Sequence, residues 1–340
     1  MARSTALFAA QLRLELAARN RAYARGHAHV ESYGSAPVIV YAPQQGRHGN
    51  FFRPAYSAIT ANPEWMRRFD KVHAQAARSL PKPLLDPARR WRELDSSMSS
   101  DALLMNIFCT PGVAESAAVR RMLGVEEDVA QIFGWKARVP LANGRLGCTR
   151  VDRTEVDMRF GSLLVEAKLT EVSFQTRAAA IVESYRDFDA VFDRGLLPRV
   201  EIPTTRWMRA SEFPENTSQE LESIIGDPDS FAPIDTTFRA PGDEGYASYQ
   251  LIRSVLAAHA ADCSFCVIHD ERRPDLREEW FEVMAAVKGA EMRTRLKVLT
   301  WQELSALLPD ALQHFLDLKY GIVAPGKTPS PLEGVTEISL

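Results

Sequence analysis

Cysteine is scarce in this chain, which has four cysteines in 340 residues. So few cysteines cannot form the dense disulfide framework of small secreted domains, and we expect a reducing compartment, the cytoplasm. Cys263 and Cys266 form a C-x-x-C pair, but no second Cys or His pair with zinc-site spacing lies around them. Because they occur in an alternating apolar segment, we expect them to pack in a buried strand rather than to bind a metal.

Long apolar runs are also missing. No stretch of about 18 apolar residues occurs, so we expect no membrane-spanning helix. The N-terminal segment has the Ala and Arg content of a transit peptide, but Glu15 and the helical spacing of Leu12 and Leu16 favour a surface helix. Neither a P-loop nor a G-x-G-x-x-G motif is present, so nucleotide-driven chemistry has no support.

The composition is that of a globular protein, with 46% hydrophobic and 25% charged residues. After about residue 246 helical and strand patterns alternate, which predicts a sheet with parallel members covered by helices. We divide the chain into a basic, mostly helical N-terminal extension (1–94), an α/β core (95–322) with an insert at about 198–243, and a flexible tail (323–340).

Local patterns predict the elements of this core. Ser99 and its neighbours precede an apolar run, which predicts a capped, buried helix over 102–108. A second helix is expected over 116–133, strands over 137–170 and a helix over 176–193. The last part of the chain predicts helices over 246–261, 275–291 and 301–319 and strands over 265–269 and 296–299.

Positive charge is concentrated near the N-terminus. Residues 1–100 hold 15 lysines and arginines but 7 acids, although the whole chain has a formal net charge of −3. The loop 46–53 mixes cations with aromatic residues, as strand-binding surfaces do. We therefore predict nucleic-acid contact by Arg47, His48, Arg53, Arg67 and Arg68. The alternative is a solvated surface whose aromatic residues pack on the core.

Chemistry-bearing residues are concentrated in one predicted hairpin, residues 154–168. Gly161-Ser162 suits its two-residue turn, because Gly can adopt the positive φ that the first turn position requires. This turn places 160 opposite 163, 157 opposite 166 and 155 opposite 168. Since side chains alternate along a strand, one face would carry Glu155, Asp157, Glu166 and Lys168, and the other Val156, Val165 and Ala167.

Such a face suits a divalent metal. Carboxylates directly opposed across two strands repel each other, and a cation between Asp157 and Glu166 would remove that repulsion. Mg²⁺, or Mn²⁺ in its place, takes oxygen ligands, while Lys168 could orient the attacking water and offset phosphate charge. In the alternative interpretation the hairpin is half-exposed, and Glu155 pairs with Lys168 in water.

The position of Lys168 is distinctive. The chain has only eight lysines, and only Lys168 and Lys319 have an acid two positions earlier. Asp317-Leu-Lys319 lies at the end of an amphipathic helical segment, where the two side chains point apart and a solvated face is the simple explanation.

Beyond the hairpin, the chain resembles the PD-(D/E)XK, or restriction-endonuclease-like, superfamily over roughly residues 95–320. The resemblance rests on Ser99-Ser100-Asp101-Ala102 with Asn106 and Phe108, on Asp157 with Glu166-Ala167-Lys168, and on Tyr249-Gln250-Leu251-Ile252-Arg253. It implies an α/β/α core around a mixed sheet.

The resemblance also implies roles for single residues. Asp157, Glu166 and the Ala167 carbonyl would bind the metal, and Lys168 would be catalytic. Gln250 and Asn106 are candidates for the edge of the site, although both could instead satisfy buried backbone groups. Val156 stands where the superfamily pattern has a proline. A further acid is left open among Glu115, Glu126 and Glu127.

Three hypotheses about function follow. The first is a Mg²⁺-dependent nuclease, with DNA as the expected substrate and a homodimer compatible with it. The second is a non-catalytic nucleic-acid-binding or assembly module on the same scaffold. The third is a metal hydrolase of another substrate.

Overall fold

In a computed structural model of the chain, the described residues are 2–32, 37–71, 92–126, 129–142, 150–153, 155–202, 207–209, 237–239 and 243–331. Their α-helices are α1 Ala2–Ala24, α2 Arg53–Ala61, α3 Pro63–Met66, α4 Ser100–Phe108, α5 Ala117–Leu123, α6 Ala179–Val182, α7 Phe188–Val191, α8 Tyr249–Ala260, α9 Pro274–Ala285, α10 Ala290–Thr294, α11 Trp301–Ser305 and α12 Asp310–Tyr320. Two short 3-10 helices cover Arg67–Asp70 and Glu93–Asp95.

The strands are short outside one central sheet. They are β1 His29–Glu31, β2 Ile39–Tyr41, β3 Pro43–Gln44, β4 Arg47–His48, β5 Gln131–Lys136, β6 Val139–Pro140, β7 Val151–Asp152, β8 Glu155–Phe160, β9 Leu163–Ala167, β10 Arg177–Ala178, β11 Arg199–Ile202, β12 Trp207–Arg209, β13 Thr237–Arg239, β14 Asp243–Tyr246, β15 Ser264–His269 and β16 Leu296–Thr300.

The central sheet has five strands in the order β16-β15-β9-β8-β5. β9, β15 and β16 run parallel, and β8 and β5 pair antiparallel at the other end. The parallel strands β9 and β15 are mostly apolar and buried, because helices cover both of their faces. The sheet is therefore mixed, as predicted.

Two hydrophobic layers enclose this sheet. One layer contains apolar side chains of α6 to α10 and the other those of α1, α4, α5, α11 and α12. Cys263 belongs to the first layer and Cys266 to the second, and both are buried. The C-x-x-C thus contributes to packing on opposite sides of the sheet, and the whole is the α/β/α architecture expected from the sequence.

Helix α4 forms as its sequence predicts. The Ser99 hydroxyl accepts a hydrogen bond from the Ala102 amide at 3.1 Å, and all nine residues of the helix are buried. The prediction of a helix over 116–133 is wrong, because α5 ends at Leu123. Gly124 follows with φ +64°, a left-handed conformation that ends helices, and residues 131–136 form edge strand β5 instead.

Other predicted elements are shorter than expected. The segment 176–193 contains strand β10 and the four-residue helices α6 and α7. The predicted helices over 275–291 and 301–319 are each divided into two, the second just before Asp310, where Pro309 is the N-cap. The prolines at 81, 83 and 87, the Asn143-Gly144 turn and most of the insert at 198–243 lie outside the described residues.

The N-terminal extension packs on the core. Leu12 and Leu16 of α1 belong to the same layer as α12. The expected solvated face at Lys319 is wrong, because Lys319 is fully buried and its Nζ donates to Asn20 Oδ1 at 2.5 Å. None of the helices in the described ranges is long and apolar enough to cross a membrane.

Candidate active site

The predicted hairpin is present. Strands β8 and β9 are joined by Gly161 and Ser162, of which only Gly161 has a positive φ, +59°. Phe160 pairs with Leu163 and Met158 with Val165, which is the register that this turn predicts. The pairing ends at Met158, so the two strands separate where Asp157 and Glu166 follow.

Asp157 fills the gap between the separating strands. Successive amides of a strand point to opposite neighbours, and the Lys168 amide donates to Ile268 of β15 at 2.8 Å. The Ala167 amide therefore points toward β8, where it donates to Asp157 Oδ2 at 2.8 Å. This bond satisfies a buried backbone donor and places the Asp157 carboxylate beside the peptide that follows Glu166.

Glu166 and Lys168 form a buried ion pair. Lys168 Nζ lies 2.8 Å from Glu166 Oε1, with side chains 6% and 3% exposed. The ammonium also lies 5.4 Å from the centre of the Phe174 ring. Burial alone would lower the pKa of Lys168, but the carboxylates of Glu166, Glu171 and Asp157 outweigh it and raise the pKa. Lys168 is thus a cation at neutral pH.

For Asp157, the surroundings disfavour the charged form. Burial raises its pKa well above the usual range, and the nearby carboxylates of Glu166 and Asp101 raise it further. Lys168 and the Ala167 amide lower it by less. The negative charge of Asp157 is therefore undercompensated, which is the condition that a bound divalent cation relieves.

Asp101 is a site residue that the sequence analysis did not single out as an acid. It lies in the first turn of α4, is 5% exposed, and acts electrostatically on Asp157. Of the acids that the sequence left open, Glu115 and Glu126 are exposed, and Glu127 lies outside the described residues. The quoted Ser-Ser-Asp-Ala segment was the only signal that could have pointed to Asp101.

Glu171 is a second acid that sequence reasoning missed. Its carboxylate accepts from the Ser100 hydroxyl at 2.5 Å and from the Leu169 amide at 2.7 Å, so it connects the end of β9 to the start of α4. Glu171 also raises the pKa of Lys168. No group of three His, Cys, Asp or Glu side chains in the described part of the chain is arranged to hold a metal ion. The candidate metal ligands are therefore two carboxylates and a carbonyl.

Glu155 pairs with Arg68 and not with Lys168. Its carboxylate pairs with the Arg68 guanidinium at 3.0 Å, and the same guanidinium binds Asp101 at 2.5 Å. The alternative interpretation, an exposed pair of Glu155 with Lys168, is wrong, because Lys168 is buried against Glu166.

Val156 lies on a different face from the one predicted. It packs with Leu164, in the layer opposite to Val165 and Ala167. The strand pair β5–β8 changes faces where Gly134, with φ +63°, lies between the pairs Phe133–Met158 and Trp135–Val156. A left-handed glycine re-aims the flanking side chains, which simple alternation cannot anticipate.

The accessory residues have distinct placements. Asn106 is fully buried, and its amide donates to the Asn50 and Ala102 carbonyls and accepts from the Phe52 amide at 2.6 Å. It holds the N-terminal loop on α4 and so satisfies buried backbone groups, as the alternative interpretation stated. Gln250 is half-buried in the first turn of α8, and its backbone N–H donates to the carbonyl of Phe174.

Two residues with a left-handed backbone lie next to Phe174, whose ring Lys168 approaches, and just before α8. Gln175 has φ +63° and Ser248 has φ +57°, and the Tyr249 amide donates to the Gln175 carbonyl. Residues with side chains reach such conformations only where the surrounding structure imposes them, and they cluster at functional sites.

Only three of the five residues of the predicted basic surface are exposed. Arg47, Arg53 and Arg67 are exposed. His48 and Arg68 are 3% and 7% exposed, His48 Nε2 lies 3.0 Å from Asp95 Oδ1, and Arg68 is paired as described. The prediction of direct nucleic-acid contact is corrected for these two, because their polar atoms bind acids inside the protein.

Comparison with known protein families finds one that matches most of the chain. Residues 17–321 match the family described as Restriction Endonuclease associating with ARP. The chain belongs to this family. The match includes only the C-terminal part of α1, from residue 17, and the whole central sheet, and the α/β architecture is restriction-endonuclease-like. No curated protein and no solved structure matches the chain. The roles of Asp157, Glu166 and Lys168 stay predictions.

Proposed function

We propose that this protein is a metal-dependent nuclease of the PD-(D/E)XK type that hydrolyses phosphodiester bonds, with DNA as its substrate. One observation carries the proposal: a single hairpin brings the Asp157 carboxylate, the buried Glu166 and the buried Lys168 together where β8 and β9 separate. The membership in a restriction-endonuclease family supports it.

The residues present fit Mg²⁺ or Mn²⁺. Mg²⁺ is commonly held by one or two carboxylates and keeps several waters, so Asp157, Glu166 and the Ala167 carbonyl are sufficient ligands. The repulsion that raises the pKa of Asp157 is the second argument for a cation there. When bound, the metal would polarise the phosphodiester and supply the attacking hydroxide.

The protein's own groups have separate tasks. The Lys168 ammonium, held by Glu166, provides positive charge for the phosphate oxygens as negative charge develops. The Ala167 amide orients Asp157. Arg68 ties Asp101 and Glu155 to the N-terminal extension, so that the acids around Asp157 are partly neutralised.

Cleavage of supercoiled plasmid and of single-stranded DNA with Mg²⁺ or Mn²⁺ tests the proposal. We expect activity in the wild type, and a loss of at least about a hundredfold in Asp157→Asn and Lys168→Met, because each removes transition-state stabilisation. The matched controls are Asp189→Asn and Lys288→Met, which alter exposed residues of the same types. Equal rates in all five proteins, each shown to be folded by circular dichroism, would contradict it.

Two observations favour a second function, a non-catalytic nucleic-acid-binding module. Glu166 is already neutralised by Lys168, and no three-acid metal group occurs among the described residues. Binding of DNA that weakens steeply with salt, without cleavage under any divalent metal, would identify this second function.

A further inference from the structure

A cavity lies between the N-terminal extension and α12, bounded by residues that the proposed catalytic hairpin does not use. Its volume is about 310 Å³. It is lined by Tyr23, His27, Arg47, His48, Phe51, Phe52, Arg53, Ala311, His314, Phe315 and Leu318. This volume is at the lower end of the range for small-molecule sites, about 300 to 1,000 Å³, and corresponds to one small ligand rather than to a duplex.

The charge of the lining comes from its arginines. It contains two arginines and three histidines but no acid. Arg47 and Arg53 are both exposed, so their guanidinium groups can reach a ligand at the mouth. Burial lowers the pKa of His27, and the neighbouring groups Lys319, His29, Arg47 and His48 lower it further, so His27 adds little positive charge at neutral pH. The two exposed arginines, in a lining without an acid, therefore make the mouth of the cavity electropositive and favour an anion.

The rest of the lining is aromatic. Phe52 and Phe315 lie against each other with ring centres 5.6 Å apart, and Tyr23 stacks on His27 at 4.9 Å. Phe52 is only half-buried, so part of this ring surface is open. An aromatic ring can stack on a nucleic-acid base while a neighbouring guanidinium group binds the phosphate of the same nucleotide.

The wall of the cavity is pre-formed. Asn50 donates to the carbonyls of Leu94 and Ser96 at 2.7 and 2.8 Å, and Asn106 binds the backbone of Asn50 and Phe52. The loop that carries Arg47, Phe52 and Arg53 is thereby fixed to the start of the core. A site whose residues are already ordered binds with less entropic cost.

We propose that this cavity binds one nucleoside phosphate unit, with the base against Phe52 and the phosphate at Arg47 and Arg53. The proposal depends on the proposed function in one respect, because it takes a nucleic-acid strand as the source of the nucleoside phosphate. A free nucleotide has the same chemistry, and the experiment distinguishes the two sources.

The experiment measures binding in EDTA, so that metal-dependent cleavage does not occur. The probes are a fluorescein-labelled pentadeoxynucleotide, followed by anisotropy, and dAMP as its competitor. Arg47→Gln and Arg53→Gln should each weaken binding by about tenfold, because a charge-assisted bond to phosphate is lost. Phe52→Leu should weaken it by about fivefold or more through lost stacking. If dAMP displaces the labelled pentadeoxynucleotide at concentrations similar to those at which the pentadeoxynucleotide binds, the cavity is a site for free nucleotides. If dAMP fails to displace it, the cavity is a site for a strand.

Matched controls separate specific from general effects. Arg25→Gln removes an exposed arginine of the same extension outside the lining, and Phe281→Leu removes an exposed ring on α9. Both should bind as the wild type does. The proposal is overturned if the wild type binds neither probe, or if Arg25→Gln weakens binding as much as the cavity variants.

The same titration distinguishes this proposal from the nuclease proposal. Asp189→Asn should bind the probes with wild-type affinity, since the exposed Asp189 belongs neither to the catalytic hairpin nor to the lining of the cavity. Normal probe binding in a wild type that cleaves nothing would refute the nuclease and leave the cavity site intact. If the wild type cleaves DNA but the cavity variants bind the probes as well as the wild type does, the nuclease proposal stands and the cavity proposal is refuted.

Discussion

Replacing Lys168 by methionine should destabilise the protein strongly, for a reason separate from catalysis. Glu166 and Lys168 are 3% and 6% exposed and 2.8 Å apart, so the variant leaves the Glu166 carboxylate buried without its counter-charge. Removing one partner of a buried pair costs about 3 to 5 kcal/mol, whereas replacing both partners is often close to neutral. The double variant Glu166→Gln/Lys168→Met should therefore recover most of the loss.

Urea unfolding followed by far-UV circular dichroism in EDTA measures these free energies. Repeating it in Mg²⁺ adds a test of the metal site, since a cation bound by Glu166 would replace the missing ammonium. At a hundredfold excess over its dissociation constant, a ligand that binds only the folded state stabilises by about 2.7 kcal/mol. The reasoning is refuted if Lys168→Met loses less than about 1 kcal/mol, or if the double variant is no more stable than the single one.

Three further predictions concern the surroundings of the site. Gly134→Ala should cost more than about 1 kcal/mol of unfolding free energy, because Gly134 has φ +63° and its Cβ would meet the Arg68 guanidinium; Gly26→Ala, with open space, is the control in the same urea titration. Asn106→Leu should lower stability by at least about 2 kcal/mol, since it leaves the Phe52 amide and the Asn50 carbonyl unpaired, and an unchanged midpoint of thermal unfolding would contradict this. Burial lowers the pKa of His269 below its usual value, so the unfolded chain takes up a proton at this residue before the folded protein does, and stability falls as the pH decreases. His269→Gln should therefore lose less stability than the wild type between pH 7.5 and 5.5, and equal losses would count against this prediction.

The hairpin was predictable because its signals are local. Gly161 indicates the turn, the turn determines the register, and the register brings Asp157 close to Glu166. Helix α4 was predictable for the same reason, since a capping serine directly precedes a run of buried residues. Gly124 carried an equally local signal for the end of α5, but the apolar residues after it resembled a continued helix.

Contacts between distant segments could not be predicted. Asp101 at a helix start is typical of a favourable charge on the helix dipole, and nothing nearby indicates that it faces Asp157. Arg68 counted as part of a basic surface, because charge counting does not reveal a partner 33 positions along the chain. The face change at Gly134 depends on strand β5, whose first three residues the sequence pattern assigned to a helix.

The central claim, that Asp157 and Glu166 hold a divalent cation beside Lys168, is tested most directly by an anomalous difference map. Crystals grown with Mn²⁺ should show one strong peak within bonding distance of both carboxylates and of the Ala167 carbonyl, at about 2.0 to 2.2 Å, and Asp157→Asn crystals should lack it. A map from saturated wild-type crystals with no peak there, or with Mn²⁺ bound only elsewhere, would contradict the claim.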